Sequence, residues 1–182
     1  GQPETCSADT LAAWQAAHSA GVQFVDGTPP TLGSHDLAID ALLGIGASPR
    51  STPADFHSPL HQLLQWLHLC PAPVLCVDLP SGLQADTGQY LPGLGFESLP
   101  RSPRHTLSLL TLKPGLFTGA GRDAAGSVWW STLGIDPELL ESHLPCALLG
   151  GEVALRSRSH ASHKGSYGDV AVVGGEGLAL RG

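Results

Sequence analysis

Residues 74–88 read VLCVDLPSGLQADTG. An apolar, β-prone run ends on Asp78, and a Pro-Ser-Gly turn follows at once. The run reads as a strand over 74–79. Near-unbroken apolar runs of this kind fit parallel strands covered on both faces. The same texture recurs upstream in DLAIDALLG (36–44) and downstream in HTLSLLTL (105–112), with SVWWSTLGI (127–135) as a further strand near an edge.

Helices alternate with these strands. Ser58 caps PLHQLLQWLHLC, Pro59 takes the first helical position, and Leu60, Leu63, Leu64 and Leu67 form a stripe for packing on a sheet. Ser7 caps a helix over 7–20 that Gly21 closes, with Leu11, Trp14 and His18 on one face. VQFV (22–25) reads as a short strand, and TPPTLGS as a loop. Residues 84–104 read as loop, KPGLFTGAGRDAAG (113–126) as a Gly-rich loop, and DPELLESH (136–143) as a short helix capped by Asp136. From residue 150 the chain turns polar, small and basic, as a linker would, before DVAVVGG (169–175) opens a fresh strand. Alternation of this kind predicts an α/β fold with a mostly parallel sheet, whose ligands bind beyond the carboxyl ends of the strands.

The bulk numbers narrow the function. The chain has 182 residues, 42% hydrophobic, with a net charge of −7 and only two lysines, Lys113 and Lys164. That balance argues against nucleic-acid or anionic-membrane binding, and no run is long enough to span a bilayer. Four cysteines, Cys6, Cys70, Cys76 and Cys146, show no CxxC spacing. With no secretory leader, they are expected to stay reduced in the cytoplasm. The chain lacks methionine and starts with Gly, so it reads as an excised or incomplete sequence.

Several residues carry chemistry on two readings each. Asp78 at a strand end is either a turn-stabilising side chain or a general acid–base group. Asp40 inside an apolar run is either capped by backbone amides in a shorter strand, or a ligand for a hard cation such as potassium, calcium or magnesium. GIGASPR (44–50) is either a surface loop or an amide cradle for phosphate beside Arg50. Lys113 is either solvated or directed at phosphate or the reacting group. Arg122 and Asp123 allow the same two readings, with the solvated loop reading ahead. The nine histidines form no HExxH and no Cys/His quartet, so zinc is not expected.

Taken in order, DLAIDALLGIGASPR, PAPVLCVDLPSGLQADTG, TLKPGLFTGAGRDAAGSV and STLGI resemble the NAD(P)H-hydrate epimerase family, the amino-terminal half of bifunctional NAD(P)H-hydrate repair enzymes. SHKGSYGDVAVVGG resembles the start of the other half, the ADP-dependent NAD(P)H-hydrate dehydratase. The resemblance implies a Rossmann-like domain over 1–149, incomplete at its N-terminus, a linker over 150–163, and the truncated opening of a ribokinase-like domain over 164–182. It implies epimerisation of the R and S hydrates of NADH and NADPH, in a parent chain that dehydrates the S form with ADP or ATP. Asp78 matches an acidic, catalytic residue at the substrate. Gly44, Ile45, Gly46, Ala47, Ser48, Pro49 and Arg50 match a loop that touches the hydrated cofactor, and Lys113 is placed at the substrate with them. Asp40 and Ser81 match potassium ligands. The family's Asn-Asn-Gly-Gly-Asp-Gly loop, which supplies another ligand, would precede residue 1. The competing expectation is a non-catalytic module of the same fold that binds a nucleotide or a partner; homo-oligomerisation is left open.

Overall fold

A computed structural model describes residues 7–48, 58–136, 138–139, 144–151 and 161. Four strands, β1 (Ala38–Asp40), β2 (Val74–Val77), β3 (Arg104–Leu109) and β4 (Ser127–Ser131), form one sheet in the order β1-β2-β3-β4. Every neighbouring pair is parallel. Among the described residues, three helices accompany them: α1 (Ala8–Ser19), α2 (Pro59–Leu69) and α3 (Gly121–Ala125). This is the expected α/β, Rossmann-like arrangement. The chain divides into two compact units, Gly1–Pro145 and Cys146–Gly182, and of the second only 146–151 and 161 are described. Among the described residues, no helix is long and apolar enough to cross a membrane.

Register explains the core. Asp40, Cys76, Thr106 and Val128 lie level across the four strands and share one face. On that face Ala38, Val74 and Cys76 pack with Leu67 of α2 and with Cys70 and Ala72 from the link that follows it. The stripe on α2 behaves as its spacing predicts for Leu64 and Leu67, both buried, and His68 joins them. Ser58 caps the helix through the amide of His61 at 3.2 Å. At the other end, the carbonyls of Leu67 and His68 are taken by Arg104 Nη2 and the Arg101 amide. A second cluster joins Leu64 to Leu91 and Leu94, so the 84–104 segment is packed although it is irregular.

Several expected elements are corrected. VQFV is not a strand: residues 22–25 are irregular and largely exposed, and among the described residues no strand pairs with them. Phe24 instead contacts Trp14 and His18 of α1, with ring centroids 5.5 and 6.0 Å apart. The strand expected over 36–44 is only Ala38–Asp40, since the Asp40 side chain turns to a bond across the sheet and the chain leaves the ladder. The strands expected over 74–79 and 105–112 stop at Val77 and Leu109, where the next residues take positive φ: Asp78 at 72° and Leu110 at 63°. The Gly-rich stretch 113–126 is not plain loop. It holds a 3₁₀ turn over Pro114–Leu116 and then α3. Asp136 caps as predicted, accepting from the Glu138 amide at 3.1 Å. Most of its helix, most of the linker and the DVAVVGG strand lie outside the described residues.

Candidate functional site at the carboxyl end of the sheet

Three groups assemble where the strands end. The first joins β1 to the turn after β2. Asp40 is buried, 2% exposed, and would be costly there without partners. Ser81 supplies them: its amide donates to Oδ2 at 2.9 Å and its hydroxyl to Oδ1 at 2.6 Å. The Leu42 amide sits 3.5 Å from Oδ1. Ser81 is delivered by a turn in which Leu83 N–H donates to Pro80 C=O at 3.1 Å. Gly82 stands at the third position with φ 88°, against Leu94, a conformation that glycine adopts without strain. The shorter strand and the amide-bonded carboxylate realise one of the two readings of Asp40.

The other reading meets a compatible donor set. Asp40 Oδ1, Ser81 Oγ and the Leu43 carbonyl converge, the last two 3.4 Å apart. They are oxygen donors only, which suits a hard, weakly demanding cation such as potassium and not zinc. Among the described residues, no group of three or more His, Cys, Asp and Glu side chains could hold a metal.

The second group is Asp78. Its amide extends the β2–β3 ladder to Leu107 C=O at 2.8 Å, and then Leu79 N–H closes back on Val77 C=O at 3.0 Å. With φ 72° at its centre, that is a γ-turn of the rare, strained kind. The reversal lets the side chain replace a backbone carbonyl in the ladder. Oδ1 accepts from the Leu109 amide at 2.9 Å and from Lys113 Nζ, its ion-pair partner. Among the described residues, Oδ2 accepts no hydrogen bond. β3 ends in the same manner: Leu110 N–H reaches Ser131 C=O at 2.8 Å, and Thr111 N–H closes on Leu109 C=O at 2.7 Å.

The third group is the loop after β1. Ala47 N–H bonds Gly44 C=O at 3.1 Å, so Gly44 to Ala47 form a tight turn with Ile45, 63% exposed, near its tip. Leu43 and Ala47 anchor it in the Leu64–Leu91–Leu94 cluster. The Leu43 amide also donates to Ser81 Oγ at 2.9 Å, tying loop, Ser81 and Asp40 together. Ser48 is half-buried, while Pro49 and Arg50 lie outside the described residues.

Two neighbouring features were not legible in the sequence. A cavity of about 20 Å³, room for one water, lies against Asp40 and Ser81 and is walled by His68, Tyr90, Phe96 and Arg104. A second, of about 100 Å³, adjoins it and reaches Asp123. His68 stacks on Phe96 with centroids 4.2 Å apart. Burial, then the Arg104 charge, hold its imidazole below the ordinary value. Burial first, and then Asp40, push the Cys76 thiol up to about 11. Burial likewise raises the Tyr90 phenol. His68 comes from α2, Cys76 from β2, Tyr90 and Phe96 from the 84–104 segment, and Arg104 from the start of β3. No local spacing in the sequence marks them as neighbours.

The family model described as YjeF-related protein N-terminus matches residues 1–115. Curated relatives include the bifunctional NAD(P)H-hydrate repair enzyme Nnr of Escherichia coli K12, 36% identical over 79% of this chain and 26% of that protein. The Nnr of Vibrio cholerae is 34% identical over 98% of this chain and 35% of its own length. The bifunctional NAD(P)H-hydrate repair enzyme of Leishmania braziliensis is 32% identical over 90% and 29%. The chain thus spans about a quarter to a third of the length of these relatives. No solved structure matches.

Proposed function

The chain belongs to the family of YjeF-related protein N-termini, and from that premise we propose that it is the epimerase part of an NAD(P)H-hydrate repair enzyme. Its substrates would be NADH and NADPH hydroxylated at carbon 6 of the nicotinamide ring, with Asp78 as the acid–base group. The observation that carries this reading is the split carboxylate of Asp78. One oxygen is held by Leu109 and Lys113. The other accepts no bond among the described residues and sits at the strand end, where ligands of parallel sheets bind.

Carbon 6 of such a hydrate is a carbinolamine carbon. Its configuration inverts if the hydroxyl leaves as water and water returns on the other face, or if the ring opens to an aldehyde and recloses. In the first route a proton is given to the leaving oxygen and taken back from the returning water. In the second the hydroxyl proton is taken as the C–N bond breaks, with the electron pair passing to nitrogen, and is returned on closure. Either way one carboxyl oxygen gives and takes one proton, and nothing is consumed. A single positioned carboxyl group suffices for that.

The Gly44–Arg50 loop would hold the cofactor. Asp40, Ser81 and the Leu43 carbonyl would hold potassium, which supplies positive charge for phosphate recognition in a chain of net charge −7. Residues 1–149 would form this domain, 150–163 a linker, and 164–182 the start of an ADP- or ATP-dependent dehydratase acting on the S hydrate.

The test is Asp78→Asn in the full-length protein, with interconversion of purified R and S hydrate followed by chromatography. A loss of about 10²-fold or more is expected. An unchanged rate would sink the reading, and so would binding of the hydrate with no turnover in the unaltered protein.

A further inference from the structure

Lys113 is one of two lysines in the sequence and stands four residues beyond β3. A lysine that serves phosphate extends its ammonium toward solvent. This one folds back: Nζ donates to Asp78 Oδ1 and to the Leu109 carbonyl at 2.6 Å, and the side chain is only 11% exposed. The chain around it enforces that direction. Buried Ser108 donates to the Thr111 carbonyl at 2.9 Å, and the turn at Leu110 reverses the backbone just before Lys113. Directly after it the 3₁₀ turn begins, with the Gly115 amide tied to Ala85 C=O at 2.6 Å. The Lys113 backbone is therefore clamped on both sides.

We propose that Lys113 is a positioning residue that acts through Asp78 and does not itself contact the substrate. This rests on Asp78 being the acid–base group. Lys113 and the Leu109 amide together occupy Oδ1 and set the plane of the carboxylate, so Oδ2 alone exchanges the proton with the hydrate. Lys113 also faces the Leu109 carbonyl, so swinging out would break both of its bonds and leave the partly buried Asp78 carboxylate without its ion-pair partner, a costly change.

The two roles separate kinetically. A phosphate-contacting lysine contributes to binding, and its loss raises KM. A positioning lysine contributes to the chemical step, and its loss lowers kcat with KM nearly unchanged. The experiment measures kcat and KM for epimerisation in the full-length protein carrying Lys113→Met, Lys113→Arg or Asp78→Asn, with thermal melts to confirm folding. Lys113→Met should lower kcat by about 10- to 100-fold with KM within about twofold, and Lys113→Arg should recover most of the kcat. Should Lys113→Met not fold, Lys113→Arg decides alone: an unchanged KM supports the inference, and a KM raised about tenfold or more overturns it. A Lys113→Met enzyme with wild-type kcat overturns it too. If Asp78→Asn is inactive while Lys113→Met is normal, only the positioning role falls. If Asp78→Asn is fully active, the acid–base reading itself falls, whatever Lys113 does.

Discussion

Ser81 bonds Asp40 twice across 41 residues of sequence, through its amide to one carboxylate oxygen and through its hydroxyl to the other. The pair welds the end of β1 to the turn that follows β2, and through the Leu43 amide it also holds the Gly44–Ala47 turn. A buried carboxylate is thereby both a structural pin and the centre of an oxygen-rich corner.

Ser81→Ala removes the hydroxyl but leaves the amide in place. Asp40 Oδ1 and the Leu43 amide both lose their shortest partner in a nearly solvent-free spot. We expect a loss of about 2 kcal/mol in unfolding free energy, read from urea melts. If this corner also binds potassium, adding the salt should raise the melting temperature of the unaltered protein more than that of Ser81→Ala, with sodium as the control. Equal responses would remove Ser81 from any cation site.

Gly121 opens α3 where two backbones meet. A Cβ there would collide with the Gly115 carbonyl. Gly115 cannot yield, because its own amide is bonded to Ala85, and the Gly121 amide is bonded to Gly88 C=O at 3.1 Å. Gly121→Ala should therefore cost about 3 kcal/mol, whereas Gly46→Ala, which meets open space, should shift stability by no more than about 0.5 kcal/mol. Comparable denaturant midpoints for the two variants would contradict the interlocked geometry.

Cys76 sets an alkaline limit. Its thiol moves from an ordinary 9.0 to about 11 on folding, chiefly through burial and then through Asp40. Between those values the unfolded chain has released the proton and the folded chain has kept it. The contribution is present in full below pH 9 and is lost as pH rises through about 11. It amounts to something on the order of 2 kcal/mol. Unfolding free energies measured at about pH 8 and about pH 11 should converge more in Cys76→Ala than in the unaltered chain. Tyr90, raised by burial in the same direction, remains in both and accounts for the residual slope.

Much of the frame was legible in local sequence. Ser58 and Pro59 announced α2, the Leu60–Leu63–Leu64–Leu67 stripe announced its packing face, and the runs over 36–44, 74–79, 105–112 and 127–135 announced strands of a mostly parallel sheet, each longer than the strand that forms. Asp40 stood out because a carboxylate inside an apolar run has a cost that calls for a partner, Asp78 because it ends a strand, Lys113 because lysine is rare in this chain, and Ser81 through the family resemblance. Which partner was another matter. Lys113, expected at the substrate, is bound to Asp78, and the glycines of 115–121 pack backbone on backbone where a plain loop was expected.

The sequence by itself determined the alternation of strands and helices, because propensity, capping and apolar periodicity act over a few neighbouring residues. Tertiary structure alone decided where each strand stops and which oxygen of Asp78 accepts no bond among the described residues. Those outcomes depend on bonds such as Ser81 to Asp40 and Leu109 to Asp78, which join residues 41 and 31 positions apart and arise only once the sheet has brought them together.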